Sequence, residues 1–287
     1  MSVPRGFGDS GLGACGRATR LIRASGSKTG ARFLLGFAAP FFDPVRTLKP
    51  AAYLVARRWC QTVNRDSALR ADDLEIHSIP TLTHGRVMVR QARAAAARGV
   101  IAGFHGYGES CATQLERLKA LPGADAWTLL SIQALHRFYE RRTEKVVACW
   151  MTSEDREDAI ADNLAYVNAA LDHAPQSAGG PLVFAGFSQG VAMAFRAACR
   201  GSRAAAAVIA VGGDVPPELL QDPAVHFPRV LLVRGARDEW YSAAKFEHDV
   251  AALAAREVEV QTLTADCGHE WTAEVAETAG RFLAVSR

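Results

Sequence analysis

One serine lies between two glycines in a pattern typical of a catalytic nucleophile. The residues Gly186-Phe187-Ser188-Gln189-Gly190 fit G-x-S-x-G, with an apolar run before them and an alanine-rich helical stretch after them. In this pattern the serine occupies a sharp turn between a strand and a helix, which exposes its hydroxyl above the edge of a sheet. A serine that only caps the helix would be the alternative. The position between a predicted strand and a predicted helix favours Ser188 as a nucleophile.

A serine hydroxyl becomes nucleophilic only when a base takes its proton, and the base needs an acid to orient it. Where this motif is catalytic, the acid and then the histidine follow the serine on loops after later strands. Asp238 and His269 both follow apolar segments that we predict to be strands, and Gly268 precedes the histidine. Glu239 and Asp266 are alternatives for the acid. Asp238 is favoured because it comes soonest after its strand.

The same chemistry needs two N–H donors for the oxyanion that forms during attack. The first is the backbone N–H of Gln189, at the positive end of the predicted helix. The second is expected in the H-G-x-G-E turn of residues 105–109, after the predicted strand at residues 100–104, and we assign it to the N–H of Tyr107. Taken alone, this turn could equally be a glycine-rich connection with no chemical role.

Aromatic residues near these loops are candidates for the substrate pocket. Trp150 is expected to follow a central strand, Tyr241 follows the acid, and Trp271 follows the base. Each of them could instead be ordinary packing in the core or on the surface. The arginines of the polar segment 135–142 could meet an acidic substrate, although a solvated charged loop is the better interpretation.

Strands and helices alternate from about residue 74 to the end of the chain. Continuous apolar runs predict the strands, and intervening segments with helical periodicity predict the helices, so we expect a mostly parallel sheet with helices on both faces. Residues 74–79 and 86–89 alternate in polarity and predict an antiparallel hairpin at the front. Thr152 is expected to begin a helix, with Asp155 completing a capping box.

The charges of the chain are unevenly distributed. Residues 1–72 hold 12 Lys and Arg against 4 Asp and Glu, whereas the remainder is mildly acidic. We therefore predict a basic extension at residues 1–73, disordered over 1–32, and one catalytic domain at residues 74–287. A transit peptide or a wrongly assigned start would also explain residues 1–32. The domain offers no basic stripe for nucleic acid.

The remaining composition is that of an ordinary globular protein, with 49% hydrophobic and 22% charged residues. Six widely spaced cysteines without a C-x-x-C pair favour free thiols in a reducing compartment. No apolar run is long enough for a membrane span, and a secretory signal is not expected. We predict a cytoplasmic protein. Nothing in the sequence predicts its oligomeric state.

The H-G-x-G-E turn, the G-F-S-Q-G pentapeptide, Asp238 and Gly268-His269 resemble the phospholipase/carboxylesterase family, which includes acyl-protein thioesterases. The resemblance covers about residues 74–287 and implies the α/β-hydrolase fold. It also implies that small carboxylic esters or thioesters are hydrolysed without metal or organic cofactor.

Two features depart from the thioesterase pattern. Tyr107 replaces a common leucine, and segment 135–142 is polar and aromatic. They predict an esterase for short acyl chains. A thioesterase, a lysophospholipase and a dienelactone-type hydrolase remain alternatives, while a binding protein without turnover is disfavoured because all three catalytic residues are present.

Overall fold

The computed structural model describes residues 75–93, 97–174 and 180–285. The chain divides into two units at residue 76, and the second unit comprises residues 76–287. The described residues belong to the second unit, apart from residue 75. The predicted disordered tail at residues 1–32 and nearly all of the basic extension lie outside the described residues.

The described residues of the second unit form nine strands, which are β1 (Arg86–Arg90), β2 (Gly99–Phe104), β3 (Trp127–Gln133), β4 (His136–Tyr139), β5 (Val146–Cys149), β6 (Leu182–Phe187), β7 (Ala207–Val211), β8 (Arg229–Gly235) and β9 (Val260–Ala265). Seven of them form one sheet in the order β1-β3-β2-β6-β7-β8-β9. Only β1 runs antiparallel to its neighbour, and every other pair in this sheet is parallel. The predicted parallel sheet with an antiparallel edge is confirmed.

Helices cover both faces of this sheet, and they are α1 (Cys111–Lys119), α2 (Arg156–Leu171), α3 (Gln189–Arg200), α4 (Pro217–Leu220), α5 (Ala243–Ala254) and α6 (Ala273–Ala284). One core cluster includes residues of α2, α3 and α5, and a second includes residues of α1 and α6. Phe184 belongs to the first cluster and Val183 to the second, because successive side chains of a strand point to opposite faces. None of the described helices has the length and apolar character needed to span a membrane.

Two local predictions at the edges of elements are wrong. Residues 75–85 form no strand. Ile76 and Ile79 are mostly exposed, so the apolar residues of the predicted first strand are not packed against the sheet. The antiparallel partner of β1 is β3. Helix α2 begins at Arg156 rather than Thr152, and Asp155 before it has a φ of 46° and makes no capping hydrogen bond. A side chain on left-handed backbone does not point at the N–H groups that a capping residue accepts.

Strands β4 and β5 form a separate antiparallel hairpin that the sequence does not predict. The residues of β4 are largely exposed, so the strand lacks the apolar pattern by which strands are recognised. The hairpin is inserted between β3 and α2. It lies beside the turn of residues 105–109, since Glu109 pairs with Ala148 of β5.

Candidate active site

Ser188 occupies the sharp turn between β6 and α3 that the sequence predicts. Its backbone has φ 52° and ψ −122°, an uncommon conformation for a residue with a side chain. A Cβ atom at Gly186 would lie 2.5 Å from Gly190 O, and one at Gly190 would lie 2.2 Å from Phe104 O. Both positions must therefore be glycine for the turn to form. Such local strain is typical of functional positions.

The carboxylate of Asp238 holds the imidazole of His269. His269 Nδ1 lies 2.8 Å from Asp238 Oδ2, and the aspartate side chain is almost fully buried. Asp238 Oδ1 accepts the backbone N–H groups of Trp240 and Tyr241, each at 2.9 Å. In the neutral ring, a proton on Nδ1 that is donated to the carboxylate leaves Nε2 free to accept a proton.

The two alternative acids have other surroundings. Glu239 is exposed, although it is the next residue after Asp238. Asp266 is also exposed and is paired with Arg237. Asp238 is therefore the carboxylate that contacts His269.

Ser188, Asp238 and His269 surround Gly212. A Cβ atom at Gly212 would lie 3.2 Å from His269 Cε1 and 3.4 Å from Asp238 Oδ2. Val211 is the residue before Gly212, and its carbonyl accepts the N–H of Ser188 at 2.9 Å. Within the described part of the chain, no hydrogen bond joins Ser188 Oγ to His269. The structure thus puts the acid and base in contact and the serine beside them, and such hydrogen bonds often tighten only when substrate binds.

The turn of residues 105–109 passes next to Ser188. A Cβ atom at Gly106 would lie 3.3 Å from Ser188 Cβ. Tyr107, whose N–H is the proposed donor, is the next residue after Gly106. The Tyr107 side chain is 63% exposed, and its ring centroid lies 5.7 Å from that of Phe138 on β4. Gln189 is the first residue of α3, where N–H groups have no partner within the helix. Both predicted oxyanion donors therefore belong to segments that flank the serine.

An ion pair that sequence reasoning missed holds this turn. Glu109 Oε2 accepts the N–H of Gly106 at 2.8 Å, and Arg117 donates to both carboxylate oxygens at 2.6 and 2.7 Å. Burial alone would raise the pKa of Glu109, but the hydrogen bonds and charge of Arg117 outweigh it and the pKa is lowered. The acidic residue at the end of the H-G-x-G-E motif is the sequence feature from which this holding role of Glu109 could have been predicted.

The three predicted pocket aromatics are placed differently from one another. Trp150 and Tyr241 have 0% and 1% of their surface exposed, so they offer no surface to a substrate and their prediction as binding residues is wrong. Trp150 Nε1 donates to His105 O and the Tyr241 hydroxyl donates to Asp249 Oδ2. Trp271 is half-buried in a groove between α1 and α6, and its contact with substrate stays a prediction.

Other reactive groups of the described residues take no part in this arrangement. Four cysteines in the described ranges are free thiols, and burial raises the pKa of each of them. No three His, Cys, Asp or Glu side chains in those ranges are grouped so as to hold a metal ion.

The comparisons with known proteins agree with this fold. Residues 133–279 match the model of the Dienelactone hydrolase family. Esterase PE8 superposes with a TM-score of 0.57 at 20% identity, over 71% of this chain and 100% of its own. Acyl-protein thioesterase 2 of Zea mays gives 0.57 at 18% identity, over 71% and 99% of the two chains. A carboxylesterase of Bacillus cereus gives 0.54 at 18% identity, over 71% and 95%.

These structural neighbours share the fold with this chain, and they confirm the predicted α/β-hydrolase fold and the resemblance to phospholipase/carboxylesterase proteins. No curated protein matches the chain by sequence. The family match spans just over half of the chain and includes Ser188, Asp238 and His269. On this evidence the chain belongs to the dienelactone hydrolase family.

Proposed function

We propose that this protein is a serine hydrolase that cleaves carboxylic esters with short acyl chains through an acyl-enzyme on Ser188. The observation that carries the proposal is the 2.8 Å contact between His269 Nδ1 and the buried Asp238, beside the strained turn of Ser188. A structural histidine does not require a buried carboxylate that is held by two backbone N–H groups next to a strained serine. The arrangement matches the roles of nucleophile, base and orienting acid.

In the first half of the reaction, Ser188 Oγ attacks the ester carbonyl while His269 Nε2 takes the hydroxyl proton. Asp238 stabilises the imidazolium that results, without accepting the proton itself. The N–H groups of Tyr107 and Gln189 stabilise the negative charge on the carbonyl oxygen. His269 then protonates the departing alkoxide, and the alcohol leaves the acyl-enzyme.

The second half of the reaction repeats these roles with water as the nucleophile. His269 Nε2 takes a proton from the water, which attacks the acyl-enzyme carbonyl, and the same two N–H groups stabilise the second oxyanion. Collapse of this intermediate returns the proton to Ser188 Oγ and releases the carboxylic acid. The residues of this chain supply every proton transfer in the cycle.

The preference for short acyl chains is supported by what surrounds the oxyanion turn. The exposed ring of Tyr107 packs on Phe138, and β4 also carries Arg137. A long acyl chain would need a continuous apolar surface there, because each buried methylene contributes about 0.8 kcal/mol. An aromatic pair beside charged residues offers that surface only over a short distance.

A lactone substrate is the second candidate, and the family match favours it. A lactone is a cyclic ester, so the same three residues would open it, with the alcohol remaining attached to the acyl group. Thioesters are a third substrate class, since a thioesterase is among the structural neighbours. Turnover of p-nitrophenyl butyrate, a six-membered lactone and butyryl-thiocholine at equal concentration ranks the three classes.

The direct test of the mechanism replaces the nucleophile. Purified Ser188→Ala should lose on the order of 10⁶-fold in kcat towards p-nitrophenyl butyrate while keeping its melting temperature. Ser202→Ala is the matched control, because Ser202 is an exposed serine after the end of α3. Retention of more than about one per cent of turnover by Ser188→Ala, against the expected loss, would refute the assignment of the nucleophile.

A further inference from the structure

His105 is a buried, titratable residue that the proposed reaction does not use. None of its surface is exposed, although it is the first residue of the oxyanion turn, residues 105–109. The ring Nδ1 lies 2.8 Å from Gly106 O, and the ring Nε2 lies 3.0 Å from the backbone N of Ala134. Because the Ala134 N–H can only donate, Nε2 must be the acceptor and Nδ1 must carry the hydrogen. Both ring nitrogens therefore have backbone partners, and the Gln133 side-chain amide makes a longer contact with Nε2 at 3.4 Å.

These partners join the oxyanion turn to the β4–β5 hairpin. Ala134 is near the start of the hairpin, and Trp150 follows its second strand. The indole Nε1 of Trp150 donates to the carbonyl of His105 at 2.8 Å, and the two rings pack with centroids 5.4 Å apart. His105 thus contacts both ends of the hairpin at once.

The hairpin in turn contacts the two segments that carry the proposed oxyanion donors. Ala148 of β5 accepts the N–H of Gly108 at 3.0 Å and donates its own N–H to Glu109 O at 2.9 Å. On the other side, the Gln189 side chain accepts the Trp150 N–H and donates to the Met151 carbonyl, both at 2.8 Å. A shift of the hairpin would therefore move both donor segments.

We propose that His105 is a positioning residue for the oxyanion hole, fixing the turn of Tyr107 through its bonds to Gly106 and to both ends of the hairpin. The proposal rests on the proposed function, since it assumes that the Tyr107 N–H receives the oxyanion. His105 itself touches no reacting atom. It acts through the carbonyl of Gly106, the N–H of Ala134 and the ring of Trp150.

The surroundings of His105 favour the neutral ring that these bonds require. Burial lowers the pKa of His105 and outweighs the opposing effects of its bond to Gly106 and of the Glu109 charge. The charge of Arg117 acts in the same direction as burial. A protonated ring would place a second N–H against the N–H of Ala134 and break that contact.

Three substitutions separate the two bonds of the ring. His105→Phe keeps a ring against Trp150 and removes both bonds. His105→Asn can keep the donor to Gly106 O, and His105→Gln can keep the acceptor for Ala134 N–H. Because the oxyanion is absent from the bound ester and forms only as the serine attacks, we expect kcat for p-nitrophenyl butyrate to fall about 10²-fold in the phenylalanine variant with KM changed less than about threefold. The other two variants should lie between it and the unmodified protein.

A second readout isolates the oxyanion hole from general damage to the fold. A trifluoromethyl ketone adds to the serine as a hemiketal oxyanion, so its inhibition constant should rise by the same factor by which kcat/KM falls across the variants. His173→Phe is the control, because His173 is an exposed histidine just after the end of α2, outside the hairpin and the oxyanion turn. It should leave both quantities within about twofold, as for a surface change away from the site.

Melting temperatures identify which variants fold, and the asparagine and glutamine variants carry the test if the phenylalanine variant does not. Unchanged kcat in folded variants would overturn the proposal, as would a rise in KM equal to the loss of kcat/KM without a change in inhibition. A protein without ester turnover that is also not labelled at Ser188 would refute the proposed function instead. The two failures are distinguishable because the absence of turnover and of labelling is measured on the unmodified protein, without any His105 variant.

Discussion

The ion pair between Glu109 and Arg117 leads to a prediction that combines stability, activity and pH. Glu109 is the only side chain that bonds both the Gly106 N–H and the Arg117 guanidinium among the described contacts of the oxyanion turn. The two side chains are 22% and 16% exposed. The guanidinium carbon of Arg117 also lies 4.1 Å from the ring centroid of Phe187, next to the nucleophile. We expect Glu109→Gln to weaken the contacts that hold the turn while leaving its backbone hydrogen bonds to β5 in place.

The magnitude follows from the bonds that the amide cannot keep. Glutamine can still accept from Gly106, but its NH₂ group faces the Arg117 donors, so at least one charge-assisted bond of about 1.5–3 kcal/mol is lost. Partial exposure of the pair screens part of this energy. We therefore expect the free energy of unfolding to fall by about 1–3 kcal/mol at neutral pH. The kcat should fall about tenfold, since a small displacement of an oxyanion donor is costly.

The pH dependence has a definite sign. The pKa of Glu109 in the folded protein is lower than its ordinary value of 4.5, because Arg117 outweighs the effect of burial. A carboxylate with a lowered pKa stabilises the fold fully above its unfolded pKa, and this stabilisation is lost as the pH falls through the folded pKa. The difference in stability between the unmodified protein and Glu109→Gln should be constant near pH 7 and should shrink at pH values below about 4.

Urea unfolding of both proteins at about pH 7 and at about pH 3.5 measures this difference. Glu116→Gln is the control, because Glu116 lies on α1 and pairs with Lys119 at an exposed site with 69% of its side chain accessible. It should change stability by less than about 0.5 kcal/mol. A stability loss for Glu109→Gln that is equal at both pH values would refute the assigned role of the ion pair.

Three further predictions concern the reaction and the rest of the chain. Asp238→Asn should lower kcat by about 10⁴-fold, whereas Glu239→Gln should have little effect, because Asp238 and not Glu239 is hydrogen-bonded to His269; a larger effect of the glutamate change would contradict this. In a p-nitrophenyl ester series, C4 should be cleaved faster than C12, and the reverse order would contradict the short-chain proposal. Deletion of residues 1–32 should leave kcat/KM and melting temperature nearly unchanged, since this basic Gly/Ser-rich segment has no periodic apolar face to bury; a loss of several degrees would show that it docks.

The parts of the site that the sequence predicts are those with strict local requirements. The turn around Ser188 needs glycine at 186 and 190, as the close approaches to neighbouring backbone show. Asp238 and His269 could be predicted because the carboxyl ends of parallel strands meet at one edge of the sheet. Their contact at 2.8 Å depends in addition on β8 and β9 being neighbours in the sheet, and the sequence alone does not predict this strand order.

The features that the sequence does not predict depend on partners far away in the chain. Trp150 follows β5 and Tyr241 follows the acid, yet both are buried, and their polar groups donate to His105 O and to Asp249 of α5. In the β4–β5 hairpin, β4 is largely exposed, and β5 is held by backbone bonds to residues 108–109. Periodicity reports the burial of a side chain and carries no information about such bonds.

The central claim is that Ser188 is the nucleophile that forms the acyl-enzyme. Incubation of the purified protein with a fluorophosphonate, followed by mass spectrometry of its peptides, tests this most directly. We predict a single phosphonyl adduct on Ser188, formed in step with the loss of esterase activity and absent from Ser188→Ala. Full inactivation with the adduct on another residue, or an unmodified Ser188 in fully inhibited protein, would contradict the account.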